Sequence, residues 1–204
     1  MSAFAETYIV SKTWRRLDWD SARFGFPAAR IESGWERESL PSIVDECRRA
    51  GIRHLTARCA AGDLTAVHAL EAERFQLLDG IQTFSLELAG TERWALERVT
   101  VREFREADRE HVLAIARAAF VYDRFHVDPA LEAGVADRVN EDWVDNCCRG
   151  VMADAVFVAE EPDVIQGFVT CKMDASRRTG VIGMVATSGS ARRRGVARAI
   201  TEEA

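Results

Sequence analysis

The chain has no CxxC pair, no long apolar run, no excess of positive charge and only two tyrosines. Each absence excludes something. Its five cysteines, Cys47, Cys59, Cys147, Cys148 and Cys171, include no chelating pair, and the vicinal Cys147-Cys148 is badly spaced to hold a metal. An odd count without a framework points to a reducing compartment. No metal is therefore expected. Apolar stretches such as residues 113–121 are short and interrupted by Arg117, so no membrane span or membrane partner is expected. Residues 1–20 lack a charged region followed by an apolar one, so no signal peptide is read and the expected location is cytoplasmic. A net charge of −6 is not the basic field that nucleic-acid binders carry, so no nucleic acid is expected as a partner. Repeats and low-complexity tracts are absent too.

What remains is 204 residues, 48% of them hydrophobic and 29% charged, the balance of a soluble globular protein with one large domain or two small ones. The first half alternates element types. Residues 7–10 read as a short strand, 19–27 as an aromatic loop and 28–31 as a strand again. Residues 38–50 carry Leu40, Ile43, Val44 and Cys47 at helical spacing before Gly51. Residues 52–58 alternate. Asp63 then caps a helix holding Leu64, Val67, His68 and Leu70, and residues 81–88 alternate once more. This β-β-α-β-α-β series points to an α/β sheet. Polar residues 89–98 read as a connector, which divides the chain into domains at 1–90 and 98–204.

The second half begins with a strand at 99–104 and a helix at 107–120. An aromatic, polar loop at 121–129 and a helix at 131–149 follow. Three apolar strands, 155–159, 165–172 and 180–186, are separated by short turns and imply an antiparallel meander. After them comes Arg192-Arg193-Arg194-Gly195-Val196-Ala197 and the opening of a helix. A turn of this kind offers backbone N–H groups and the positive end of a helix dipole to an anion, and three arginines beside them point to a phosphorylated ligand. The bland alternative is a solvated basic helix start.

The order β, α, α, β, β, β, basic turn, helix resembles the GCN5-related N-acetyltransferase (GNAT) family. Its acetyl-CoA signature, Gln/Arg-x-x-Gly-x-Gly/Ala, matches Arg192 to Ala197 at every fixed position. The resemblance implies an α/β (α+β) acyl-CoA N-acyltransferase fold, a mixed sheet with helices on both faces, preceded by a smaller, partly GNAT-like α/β domain. Further motifs, Trp19-Asp20-Ser21 with Phe24-Gly25-Phe26-Pro27 and the run Asp142-Trp143-Val144-Asp145-Asn146-Cys147-Cys148, resemble the bacterial TDP-fucosamine acetyltransferase subgroup. That subgroup acetylates the 4-amino group of a TDP-linked amino sugar.

The resemblance implies direct attack of a neutral primary amine on the thioester of acetyl-CoA. The strand holding Met184, Val185 and Ala186 would grip the pantetheine arm, with the Val185 or Ala186 amide as oxyanion donor. Arg192, Arg193, Arg194, Gly195, Val196 and Ala197 would cradle the phosphates. Residues 181–186 contain no carboxylate to act as base, so a water chain is expected to take the amine proton. The family's thiolate acid is a tyrosine on a later helix. Neither Tyr8 nor Tyr122 matches it, and no catalytic residue is named. Arg124, Phe125 and His126 are candidates for the acceptor pocket, with Trp143 and Asn146 on the next helix, although Phe125 and Trp143 suit a core role as well. His54, His68 and His111 read as structural, and Trp19, Phe24 and Phe26 as a wedge between the halves. Rival readings are an N-terminal or small-amine acetyltransferase and a non-catalytic acyl-CoA-binding module, with homodimerisation open. Acidic Glu202 and Glu203 end the last helix against its dipole, so the chain reads as a fragment cut within that helix, expected to bind acetyl-CoA weakly.

Overall fold

The computed structural model describes residues 13–88, 99–162, 164–176 and 178–204. They fall into two compact units, one running to Gln82 and including Asp128–Glu132, the other formed by Thr83–Val127 and Ala133–Ala204. The expected strand at residues 7–10 lies outside the described residues.

The first unit is built on a three-stranded sheet. Strand β1 (Trp14–Arg16) pairs antiparallel with β2 (Ala28–Ile31), and β2 pairs parallel with β3 (His54–Thr56). Parallel neighbours need a crossover, and α2 (Leu40–Arg49) supplies it. Leu40, Ile43, Val44 and Cys47 fall on one face of that helix and close the core against Trp14, Ala29 and Ile31. Helix α3 (Leu64–Ala72) starts where Asp63 Oδ1 accepts the Ala66 amide at 3.0 Å, and of its expected stripe only Leu70 is buried.

Two expectations fail here. Residues 19–27 are not a loop, because α1 (Asp18–Phe24) occupies most of them. Asp18 and Asp20 sit favourably in its first turn, and Ser21 binds the chain on both sides: its hydroxyl donates to Leu17 O at 2.6 Å and accepts from Ala28 N at 2.8 Å. The turn-forming residue types Asp and Ser concealed the helix. Among the described residues, 81–88 form no strand. Phe84, Leu86 and Leu88 are exposed, and alternation alone does not make a strand.

In the second unit β4 (Thr100–Glu103), β5 (Ala155–Glu161), β6 (Val164–Asp174) and β7 (Thr179–Thr187) form one sheet in sequence order, antiparallel throughout. The meander is as its spacing implies. Helices α4 (Arg109–Ala119) and α6 (Val135–Cys148) cover one face, with Val112, Ile115, Ala116 and Val144 against Val158, Phe168 and Ala186. Helix α7 (Val196–Glu203) covers the other, with Val196 and Ile200 against Ala159, Val169 and Cys171. Between α4 and α6 the expected loop contains a one-turn helix, α5 (Arg124–Val127). Among the described residues no helix is long and apolar enough to cross a membrane, and all five cysteines are free thiols.

Candidate functional site

The basic turn lies between the end of β7 and the start of α7. A short 3-10 turn at Gly189–Ala191 leads into it. Two residues then take left-handed backbone, Arg193 with φ 61° and Gly195 with φ 84°. Gly195 holds the N-cap position of α7, where a side chain would strain the left-handed backbone. The first intrahelical bond, Ala199 N to Gly195 O at 3.0 Å, leaves the amides of Val196 and Ala197 directed off the helix end, the arrangement that receives an anion.

The three arginines are not equivalent. Arg194 Nη2 donates to Glu161 Oε2 at 2.6 Å, and the Glu161 side chain is only 11% exposed. Arg194 is thus tied to the end of β5. Arg192 and Arg193 are exposed and have no ion-pair partner among the described residues, so the positive charge open to a ligand comes from them. Glu161 was invisible in the sequence, since nothing in an isolated Glu-Glu pair shows which arginine it meets.

Strand β7 is the edge of the described sheet. Ser188 N donates to Gln166 O at 2.8 Å, which sets the alternation of the strand. The amides of Ala186 and Met184 face β6, and those of Val185 and Thr187 face the open edge. Met184 and Ala186 carry their side chains into the core beneath α4 and α6. Of the two amides considered for an acyl oxygen, Val185 has the open orientation.

On the expected acceptor side, α5 gathers Arg124, Phe125 and His126. The Arg124 guanidinium lies 4.4 Å from the Phe125 ring centre. His126 is held between two carboxylates, Nδ1 3.0 Å from Asp123 Oδ1 and Nε2 3.2 Å from Asp137 Oδ1. Burial pulls the His126 pKa down, but the bonds to Asp123 and Asp137 outweigh it and raise it above its ordinary value. Asp123 is the hub, accepting also from the Phe125 amide at 2.8 Å and from Asn140 Nδ2. Burial pushes its carboxyl up, and the bonds from Asn140 and His126 more than reverse that, so it stays below the usual carboxylate range. Trp143, partly buried, packs against the cluster of Cys147, Ala153 and Val156. Asn146 contributes a backbone oxygen, which accepts the Val151 amide at 2.9 Å. The structure therefore joins Arg124, Phe125 and His126 to Asp123, Asp137 and Asn140. Asp123 carried a readable signal, an Asp immediately ahead of a helical turn, whose side chain accepts the amide two residues on. Asp137 and Asn140, one turn apart on α6, carried none.

Elsewhere, His54 Nε2 meets Asp128 Oδ2 at 2.7 Å within the first unit, and Phe24 packs edge-on to the His54 ring at 5.3 Å. Arg23 covers the Trp19 ring at 3.7 Å. Tyr122 is 92% exposed. Among the described residues there is no group of three side chains arranged to hold a metal.

Residues 121–204 match the acetyltransferase (GNAT) family. No curated protein matches the chain. Among solved structures, a GCN5-related N-acetyltransferase from Sphaerobacter thermophilus is 15% identical, with 93% of this chain and 61% of that one covered and a TM-score of 0.53. Ard1 from Thermoplasma volcanium is 20% identical over 52% of this chain and 60% of its own, with a TM-score of 0.38. PaiA N-acetyltransferase from Thermoplasma acidophilum, solved with coenzyme A, is 12% identical over 52% and 68%, with a TM-score of 0.40. The chain thus spans about 60% of the length of the Sphaerobacter and Thermoplasma volcanium proteins it resembles. The fold is the GNAT fold.

Proposed function

We propose that this GNAT fold is an acetyl-CoA-dependent N-acetyltransferase acting on a primary amine. The observation that carries the reading is the turn of Arg192, Arg193 and Gly195 at the head of α7, set beside a strand whose Val185 amide faces outward. Coenzyme A needs both: donors for a pyrophosphate and an extended edge for its amide-bearing arm. The residues fit it. Gly195 supplies the left-handed turn into the helix, Arg192 and Arg193 supply open charge, and the amides of Val196 and Ala197 at the helix start are donors for phosphate oxygens. Arg194 serves instead to hold the turn to Glu161.

Acetyl-CoA supplies an activated acyl group as a thioester, and the protein's part is placement. The Val185 amide is directed to receive negative charge as it develops on the acyl oxygen. Strand β7 offers no carboxylate, so the amine proton leaves through water in this reading. Such chemistry depends on orientation of the two reactants more than on any acid or base side chain.

For the acceptor, we favour a nucleotide-linked amino sugar. The Arg124 guanidinium laid on the Phe125 ring, beside a carboxylate-held His126, suits a ligand with a diphosphate and a flat or hydroxylated group. Residues 98–204 are the catalytic domain in this scheme and 1–90 an accessory one. The separate core around Trp14, Ile31 and Leu40 supports that division, and the free thiols accord with a cytoplasmic setting.

Calorimetric titration with acetyl-CoA tests the core of the proposal. The wild-type chain should bind, and Gly195→Val should weaken binding by about tenfold or more with unchanged circular dichroism, since it strains a left-handed position at the head of the cradle. Equal affinity of the two proteins, or no binding by either, refutes it.

A further inference from the structure

Strand β7 carries one residue more than the strand beside it. Thr170 stands opposite Met184, yet the next pair is Cys171 with Ile182, so Gly183 is the extra residue of a β-bulge. A bulge in an apolar strand needs a fixed address, because the same strand pairs as readily with the extra residue moved along. Here a side chain provides the address. The Met184 amide donates to Thr170 Oγ1 at 2.9 Å. Thr170 is 2% exposed, so this oxygen is withdrawn from water.

The glycine is part of the same device. A Cβ on residue 183 would stand 2.9 Å from Thr170 Oγ1, closer than a methyl group and an oxygen approach. The side chain missing at 183 is the space the hydroxyl uses to reach the strand. The bond at Ser188 fixes the phase of the strand at its far end, so the position of the bulge decides which amides between them face outward. If the extra residue moved toward Thr187, Val185 would change sides and its amide would turn to β6.

We infer that Thr170 is a positioning residue: its buried hydroxyl binds the Met184 amide across Gly183, locks the β7 bulge in place and so holds the Val185 amide at the open edge. The catalytic consequence rests on the acetyltransferase reading, whereas the lock itself does not.

Thr170→Val keeps the shape and removes the acceptor, Thr170→Ser keeps the acceptor, and Gly183→Ala drives a methyl against it. Amide hydrogen exchange at Met184 and Val185 reads the lock without any substrate. Thr170→Val should speed exchange at Met184 by about tenfold, and Thr170→Ser should restore it. Gly183→Ala should perturb the same amides and do so less in a Thr170→Ala background, where the opposing oxygen is gone. In acetyl transfer, Thr170→Val should lower kcat by about tenfold or more with KM for acetyl-CoA nearly unchanged, because the phosphate cradle lies on a different segment. Unchanged exchange in Thr170→Val, or a serine variant no better than the valine, overturns the lock. Faster exchange with an unaltered kcat overturns the positioning role. If exchange responds as expected but the wild type transfers no acetyl group, the lock stands and the acetyltransferase reading fails.

Discussion

Replacing Asp108 by alanine should destabilise the C-terminal unit by about 3–4 kcal/mol. Asp108 receives the Arg102 guanidinium in a fork, Nη1 to Oδ2 at 2.7 Å and Nη2 to Oδ1 at 2.9 Å, and accepts the Arg105 amide at 2.7 Å. Arg102 in turn reaches across from β4 to β5, where Nε meets Glu160 Oε2 at 2.7 Å. The Arg102 and Asp108 side chains are 17% and 9% exposed, so the pair is largely withdrawn from water. Removing one partner leaves the other buried and half satisfied, which costs about 3 kcal/mol or more at such depth. The lost Arg105 amide bond adds about 1 kcal/mol, and the remaining bond to Glu160 recovers part of the total. Arg117→Ala is the control. It breaks a pair with Glu141 whose arginine is 53% exposed, and solvent screening should leave its effect far smaller than that of Asp108→Ala. Urea unfolding at constant m reads the difference.

The pH dependence gives a second handle on the same pair. The bond from Arg102 holds the Asp108 carboxyl below its ordinary value of 3.8 against the upward pull of burial. A depressed folded pKa gives a contribution that is complete above the unfolded value and lost as pH falls through the folded one. The gap between wild type and Asp108→Ala should therefore close in acid below about pH 4 and stay constant near neutrality. An Asp108→Ala protein no less stable than Arg117→Ala, or a gap that persists in strong acid, refutes the reasoning.

His126 should titrate above its ordinary 6.5, so the stabilisation it gives α5 is full below that pH and disappears as pH rises through the raised folded value. Proton NMR of its ring, with amide exchange of residues 124–127, checks this; a midpoint below 6.5, or exchange that ignores pH, contradicts it. In the first unit, Asp63→Ala removes the acceptor for the Ala66 amide and should cost about 1 kcal/mol in thermal or urea unfolding, with Asp63→Asn nearly neutral.

Where a local signal and a tertiary one agreed, the chain was readable. The α3 cap at Asp63, the strand at Ala28–Ile31 and the meander all follow from residue types and spacing. The α1 helix was hidden because Ser21, a turn-former by type, earns its place through bonds to Leu17 and Ala28. Residues 81–88 misled for the opposite reason: their alternation is locally sound, yet they join no sheet among the described residues. The basic turn was legible because its chemistry lies in consecutive residues. The roles of Arg194 and His126 were not, since Glu161 lies 33 positions away and Asp137 lies 11. Gly183 inside an apolar run was a readable sign of a bulge, but its partner Thr170 belongs to another strand.

The ion pair of Arg194 with Glu161 has a consequence for how a phosphorylated ligand would be met. A turn already tethered to β5 has little freedom left to lose on association, so less of the binding energy is consumed in ordering it. It also reduces the number of mobile counterions a ligand displaces, because one of the three guanidinium groups is neutralised from within. Affinity at this turn should accordingly fall less steeply with added salt than three arginines would suggest, and depend more on the fixed direction of backbone N–H groups.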